Sequence, residues 1–343
     1  MKLTNKAFAF SAAMLASTAN FAAAENSDIM VGMTPKFLKD DFQTLMLDLS
    51  LKAFDDKGFT LVGAPDPNGD IAAQVDALQN LLANGANVIV FAPLDSAGIV
   101  PAVKRANEAG ALVFSIDDGP AGGQVTATVR ADNYNAGVQG GEEMARRLAN
   151  DPCSADDSCI VLELQGGLNT PNGLDRSNGF ADTLRALAPN VELIQRPTQW
   201  TADMAADAAQ NVLTQNPTLD GIFMASELMA TAVNAQLKSA DLGAAVGEDG
   251  SVIRVAIDGT PQGLSLIREG KLDATVSQPL SAYATKTAEL IELVFNGGTI
   301  EIGPRDDGRV IETPVGPQYQ LNATLVTADN VDAGDLWGNQ VGN

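Results

Sequence analysis

Residues 88–120 read VIVFAPLDSAGIVPAVKRANEAGALVFSIDDGP. The apolar run Val88–Phe91 is short and rich in β-branched residues, which predicts a buried strand. A helical pattern follows over Val100–Ala109. A second apolar run, Leu112–Ile116, then ends in Asp117-Asp118-Gly119-Pro120. Strand, helix and strand in this order predict a parallel pair joined by a crossover helix.

The alternation continues outward in both directions. Further strands are predicted at Ile29–Met33, Thr60–Val62, Ile160–Leu164, Val191–Ile194, Gly221–Met224, Val252–Ile257 and Ala274–Ser277. Helices are predicted at Phe42–Asp56, Ile71–Asn84, Ala136–Ala149, Gly179–Ala188, Ala202–Thr214, Leu228–Ser239 and Ala282–Phe295. Such alternation implies parallel sheets covered by helices on both faces. The strands are too numerous for one small doubly wound domain, so two α/β domains are expected.

Composition narrows the function. The 343 residues include 21 Lys and Arg, 43 Asp and Glu, two Cys and no His, for a net charge of −22. Without His there is no Ser-His-Asp triad, no Cys-His pair and no imidazole metal site. The charge argues against nucleic acid, where Lys and Arg must neutralise phosphates.

The chain opens with Lys2 and Lys6, then an apolar small-residue run from Ala7 to Ala19, then Ala22-Ala23-Ala24 before Glu25. This is the order of a secretory signal, residues 1–24, with cleavage expected after Ala24. A soluble exported protein follows, periplasmic in a Gram-negative bacterium. Cys153 and Cys159 suit an oxidising compartment and are expected to staple one loop. A redox pair lacks the Cys-x-x-Cys spacing, and a thiolate metal site lacks further ligands.

In open α/β sheets, ligands bind beyond the carboxyl ends of the strands. Those positions here hold Asp40, Phe42, Asp117, Asp118, Asn172, Arg176, Trp200, Ser226, Asp258 and Gln278. Ionised Asp accepts hydrogen bonds, Arg donates through a rigid fork, and Gln does both. Aromatic faces cover the C–H faces of a sugar ring. The set suits a neutral polyhydroxylated ligand. Any one Asp reads equally well as a helix N-cap, and Phe42 or Trp200 alone as core or staple; recurrence at successive strand ends favours a site. No G-x-G-x-x-G opens a helix, and neither a P-loop nor G-x-S-x-G is present. Asp40-Asp41 or Asp117-Asp118 could supply paired carboxylates for glycoside hydrolysis. Asp66-Pro67-Asn68-Gly69-Asp70 reads as a turn and not a calcium loop. No cofactor and no metal are expected.

The segments Lys39-Asp40-Asp41-Phe42, Ser115-Ile116-Asp117-Asp118, Ala131-Asp132-Asn133, Leu162–Gly166, Asp175–Phe180, Ile257–Pro261 and Gln278-Pro279, in this order and spacing, resemble the type I periplasmic sugar-binding proteins that serve ABC transporters. The resemblance implies two Rossmann-like lobes with parallel sheets, joined by a three-crossover hinge with the sugar between them. The lobes would be 25–131 plus 279–315 and 132–278 plus 316–343, with the third crossing around Pro314 to Pro317. It implies hydroxyl partners at Asp40, Asp117, Arg176, Asp258 and Gln278, and stacking at Phe42 and Trp200. Ser226 stands where the family often has Asn, and Asn172 is assigned from loop position. Two positions depart from the ribose-binding pattern: Asp118 replaces an Arg, and Gln43 replaces a second aromatic. A different pentose, a branched or deoxy sugar, or a linear polyol therefore fits at least as well as ribose. The implied role is capture by hinge closure and delivery to a membrane permease by a monomer, without catalysis. A receptor feeding a chemoreceptor or sensor kinase shares the same features. An exported glycoside-active enzyme is a further alternative. A sugar-sensing repressor is opposed by the signal, the charge and the missing helix-turn-helix.

Overall fold

The computed structural model describes residues 25–149 and 159–341. The expected signal segment and Cys153 lie outside the described residues. The first stretch holds β1 (Met30–Thr34), α1 (Asp41–Asp56), β2 (Thr60–Gly63), α2 (Ile71–Ala83), β3 (Val88–Phe91), α3 (Val100–Glu108), β4 (Leu112–Ile116) and β5 (Ala127–Ala131). The second holds α4 (Asn133–Leu148), β6 (Ile160–Gln165), α5 (Pro171–Leu187), β7 (Glu192–Pro197), α6 (Ala202–Gln215), β8 (Gly221–Met224), α7 (Ala230–Ser239), β9 (Ile253–Asp258), α8 (Pro261–Arg268) and β10 (Ala274–Ser277). The chain ends with α9 (Leu280–Phe295), β11 (Gly303–Arg305), β12 (Gly308–Thr313), β13 (Gly316–Leu321), β14 (Thr324–Val326) and α10 (Trp337–Gln340).

These strands form two sheets. One has the order β11-β12-β13-β5-β4-β3-β1-β2, the other β14-β10-β9-β8-β6-β7. Pairing is parallel except at β11–β12, β12–β13 and β10–β14. The β1 and β3 residues Val31, Met33, Val88 and Val90 are all fully buried, as strands covered on both faces require. Each sheet carries helices on both sides, so the expected pair of Rossmann-like lobes is present.

The chain passes between sheets after β5, after β10 and after β13. The expected third crossing around Pro314 to Pro317 is corrected here. Those residues form the hairpin turn between β12 and β13, where Thr313 pairs with Gly316. Strand β13 then lies parallel to β5 in the first sheet, so the crossing falls at Asn322–Ala323. Two separate hydrogen-bonded neighbours make this assignment, which no local sequence pattern encodes. The tail divides its packing: Val331 and Leu336 join the second-lobe core, and Trp337 joins the first.

Helices α4 and α5 meet through glycines. A Cβ at Gly137 would lie 2.3 Å from the carbonyl oxygen of Arg176, and one at Gly179 would lie 2.1 Å from that of Tyr134. Only glycine allows the backbones this close. The contact seats the start of α5, with Asn172 and Arg176, at the rim of the second sheet. The turn expected at Asp66–Asp70 is present: Asn68 and Gly69 have positive φ, and Asp70 caps α2.

Candidate functional site

A cavity of about 240 Å³ lies between the lobes at the carboxyl ends of their strands. It is smaller than sites for drug-sized ligands, roughly 300–1,000 Å³, and suits a small solute. Asp40, Phe42, Asp117, Asn172, Arg176, Trp200, Ser226, Asp258 and Gln278 all line it. Nine of the ten expected residues are thus brought together from both lobes. Asp118 is the exception and corrects its expectation as a ligand group. It is fully buried and serves Lys36, the Gly119 N–H and the Asn172 N–H.

On the first-lobe side, Lys36 Nζ lies 3.0 Å from Asp117 Oδ2 and 3.3 Å from Asp118 Oδ2. Gln43 Nε2 donates to the same Asp117 oxygen at 3.1 Å. Burial alone would lower the pKa of Lys36, but the two carboxylates outweigh it and hold the ammonium above its ordinary value. Burial likewise works to raise Asp117, yet Lys36, Arg176 and Gln43 hold its carboxyl below the usual range. Lys36 therefore supplies a cation to Asp117 and Asp118 from a different strand end. Sequence reasoning missed it, although it stands two residues after β1, where strand-end groups gather. Asp40 is both a cap and a liner: it accepts from the Gln43 N–H at 2.7 Å. Burial, reinforced by Asp258 and Asp117, pushes its pKa up to about 6 against that bond.

On the second-lobe side, Arg176 donates through Nε to Asn133 Oδ1 at 2.6 Å and through Nη1 to the Ala225 carbonyl at 2.6 Å and Asp258 Oδ1 at 3.2 Å. Gln278 Nε2 and Ser226 Oγ donate to the two oxygens of Asp258 at 2.7 and 2.6 Å. Burial still leaves the Asp258 carboxyl raised, despite Arg176, Ser226 and Gln278. Tyr283 holds Gln278 in turn, donating to its Oε1 at 2.8 Å. Glu227, a further liner not assigned from sequence, accepts from the Gly259 and Thr260 N–H groups at 2.9 and 2.7 Å. It also accepts from the hydroxyls of Thr260 and Thr275. Burial, then the nearby Asp258, push it up to about 7. Glu227 thus braces the loop that carries Asp258.

Both expected aromatics line the cavity, and both are also packed. Phe42 meets Tyr283 and Trp337 edge-on, at 6.5 and 5.9 Å between ring centroids. Trp337 Nε1 donates to the Asp258 carbonyl at 3.2 Å, so one buried indole buttresses a residue of each lobe. Trp200 sits on Gly166-Gly167, where a Cβ on Gly166 would come 2.1 Å from the indole. Arg176 Cζ lies 5.4 Å from the Trp200 ring centroid, within cation–π range.

Two lobes with sheets of this topology and a polar cavity at their facing strand ends define the arrangement. Residues 31–299 match the model of the periplasmic binding protein domain. The chain belongs to this family. It is 28% identical over 264 residues to the ribose import binding protein RbsB of Salmonella typhimurium, covering 77% of this chain and 84% of that one. It is 27% identical over 328 residues to the D-allose-binding periplasmic protein of Escherichia coli, covering 92% and 95%. The D-apiose import binding protein of Paraburkholderia graminis is 25% identical over 344 residues, covering 98% and 99%. Among solved structures, a galactofuranose binding protein superposes with a TM-score of 0.76 at 20% identity, covering 91% of this chain and 98% of that one. That likeness concerns the fold, and it matches the two-lobed architecture found here.

Proposed function

We propose that this protein is a periplasmic receptor that captures a neutral monosaccharide or polyol by closing its lobes, and delivers it to an ABC permease. The observation that carries the reading is the paired hydrogen-bonding set at one cavity: Asp117 with Lys36 and Gln43 from one lobe, Asp258 with Arg176 and Gln278 from the other. Each hydroxyl of such a ligand needs a donor and an acceptor, and both kinds are present on each side. Phe42 and Trp200 supply apolar faces for the ring. Relatives named for ribose, D-allose and D-apiose support a carbohydrate. A sugar acid fits poorly, because the cavity is lined by Asp40, Asp41, Asp117, Glu227 and Asp258 against only Lys36, Lys39 and Arg176. The role is binding without turnover. Residues 1–24 would direct export, with Cys153 and Cys159 joined in the oxidising compartment.

The test is a thermal-shift screen of residues 25–343 against pentoses, hexoses, branched and deoxy sugars, polyols, inositols and sugar acids. A ligand at about a hundred times its Kd adds about 2.7 kcal/mol. A neutral carbohydrate should raise Tm by several degrees. Stabilisation by sugar acids alone would reverse the charge argument, and a flat response from ligand-stripped protein would reject the receptor reading.

A further inference from the structure

The chain continues past its last strand. Beyond β14 the tail runs along the second lobe and is pinned there. Arg268 of α8 donates to Asp332 Oδ1 and to Asn339 Oδ1, both at 2.8 Å. Val331 and Leu336 sit in the second-lobe core. A Cβ on Gly338 would lie 2.4 Å from the Gly259 carbonyl oxygen, so the tail rests directly on the loop that follows Asp258. From this anchorage Trp337 reaches across. It is 3% exposed and belongs to the first-lobe core.

The indole enters where the chain crosses between lobes. Its edge-on partner Phe42 also meets Tyr283. The Tyr283 hydroxyl accepts from the Ala131 N–H at 2.7 Å and donates to Gln278 Oε1 at 2.8 Å. Ala131 and Gln278 stand at the crossings after β5 and β10. Trp337 Nε1 and the Gln278 N–H donate to the same Asp258 carbonyl, at 3.2 and 2.9 Å. Both lone pairs of that carbonyl are thereby used. Asp258 has φ at 149°, a conformation that persists only where its surroundings hold it. Groups at a pivot move least as lobes swing, so a bridge at this place is compatible with capture by closing.

We infer that Trp337 is a positioning residue for the ligand site. The C-terminal tail carries it from the second lobe into the crossing region, where it fixes the Phe42 ring against the backbone of Asp258. Trp337 does not itself line the cavity, whereas Phe42 and Asp258 do. It therefore acts on a ligand through those two residues. This rests on the proposed capture of a carbohydrate in that cavity. Groups held in place beforehand lose less freedom when a ligand binds, which raises affinity.

The experiment compares wild type, Trp337→Phe and Val331→Ala, a core change in the same tail. Each protein is stripped of bound solute by unfolding and refolding, and Tm is recorded. D-ribose, D-allose, D-apiose and myo-inositol are then titrated calorimetrically. Trp337→Phe keeps an aromatic edge for Phe42 but has no N–H for Asp258, so affinity should fall by about two- to tenfold. Val331→Ala should lower Tm and leave affinity unchanged. Adding Trp337→Phe to Asp258→Asn should cost little further affinity, because one residue acts through the other. Unchanged affinity in Trp337→Phe, an equal loss in Val331→Ala, or losses that simply add would overturn the inference. In the ligand-free proteins, amide exchange over 257–261 should quicken in Trp337→Phe and not in Val331→Ala. Unchanged exchange there would overturn the inference whatever binds. Should Trp337→Phe fail to refold, Gly338→Ala, which forces the tail off Gly259, takes its place in each comparison. Binding of none of the four probes by the wild type counts against the receptor reading, while the exchange comparison still decides whether Trp337 holds Asp258.

Discussion

Asp117 and Asp258 stand at corresponding places in the two lobes, and both hold unusual backbone. Asp117 directly follows β4 with φ at 67°, and Asp258 ends β9 with φ at 149°. Such angles disfavour residues with a Cβ and persist where the surroundings over-determine them. Here the bracing comes from Lys36, Gln43 and Asn172 on one side, and from Arg176, Ser226 and Gln278 on the other.

Asp258→Asn keeps the shape and removes the charge. Arg176 then loses its ionic partner in a buried site. Ligand affinity should fall by about tenfold or more, and stability should fall by roughly 1–3 kcal/mol. Calorimetric titration and urea denaturation measure the two. Unchanged affinity would remove Asp258 from the ligand set.

Lys36→Met leaves Asp117 and Asp118 buried without a cation. Breaking a buried pair from one side costs about 3–5 kcal/mol. The double variant Lys36→Met/Asp118→Asn should recover part of that loss. Denaturation midpoints of the single and double variants check it; a double variant no better than the single would contradict it.

Gly166→Ala places a methyl group 2.1 Å from the Trp200 indole. The ring must leave its platform and its contact with Arg176. Affinity should drop more than Tm does, and the tryptophan emission should change. An unaltered affinity would mean that the plane of Trp200 does not matter.

Asp40 makes affinity pH-dependent. Its carboxyl titrates at about 6 and accepts hydrogen bonds on both oxygens only when ionised. A ligand hydroxyl that donates to it is favoured above that pH, so affinity should rise from pH 5 to pH 7. Asp40→Asn should remove the part of the rise centred near pH 6, leaving any part that comes from Glu227. Titrations at pH 5, 6 and 7 decide it.

Glu163 lies fully buried in β6, with Gln195 Nε2 donating to its Oε2 at 2.8 Å. Among the described residues, no donor reaches its Oε1 with hydrogen-bond geometry. Burial raises its pKa from 4.5 to about 7 against Ser177, Gln195 and Arg185. In that window the folded protein holds a proton that the unfolded chain has released. Stability contributed by this group therefore falls as pH rises from about 4.5 to about 7, by on the order of 3 kcal/mol. Glu163→Gln should remove this group's share of the slope, leaving the shares of Glu227 and Asp40, and stabilise the protein at pH 7.5. Urea melts from pH 4.5 to 7.5 measure it.

Much of the fold was legible because the deciding signals are local. Val88–Phe91, Leu112–Ile116, Gly221–Met224 and Ala274–Ser277 are buried on both faces and apolar enough to declare themselves. Strand β5 carries the buried Thr128 and Arg130 within its five residues, and β12 and β13 are polar hairpin strands; none of these was expected. Helix α8 has only eight residues and includes Gly263, below what periodicity can establish. Helix α5 begins at Pro171, ahead of the expected Gly179, because packing on α4 overrides the weak propensity of Asn172, Gly173 and Asp175.

The sequence by itself determined the alternation of strands and helices, hence two parallel sheets whose strand ends carry Asp, Arg, Gln and aromatic side chains. Those features depend on spacing and on chemistry that each residue carries alone. Only the tertiary structure decided that Lys36 pairs with Asp117 and Asp118, that Asp118 is sealed from the cavity, and that β13 belongs to the first lobe. The reason is distance along the chain. Lys36 meets an acid more than eighty residues away, and β13 returns to β5 after the whole second lobe has been built. Such contacts follow from how the sheets assemble, and no window of sequence contains both partners.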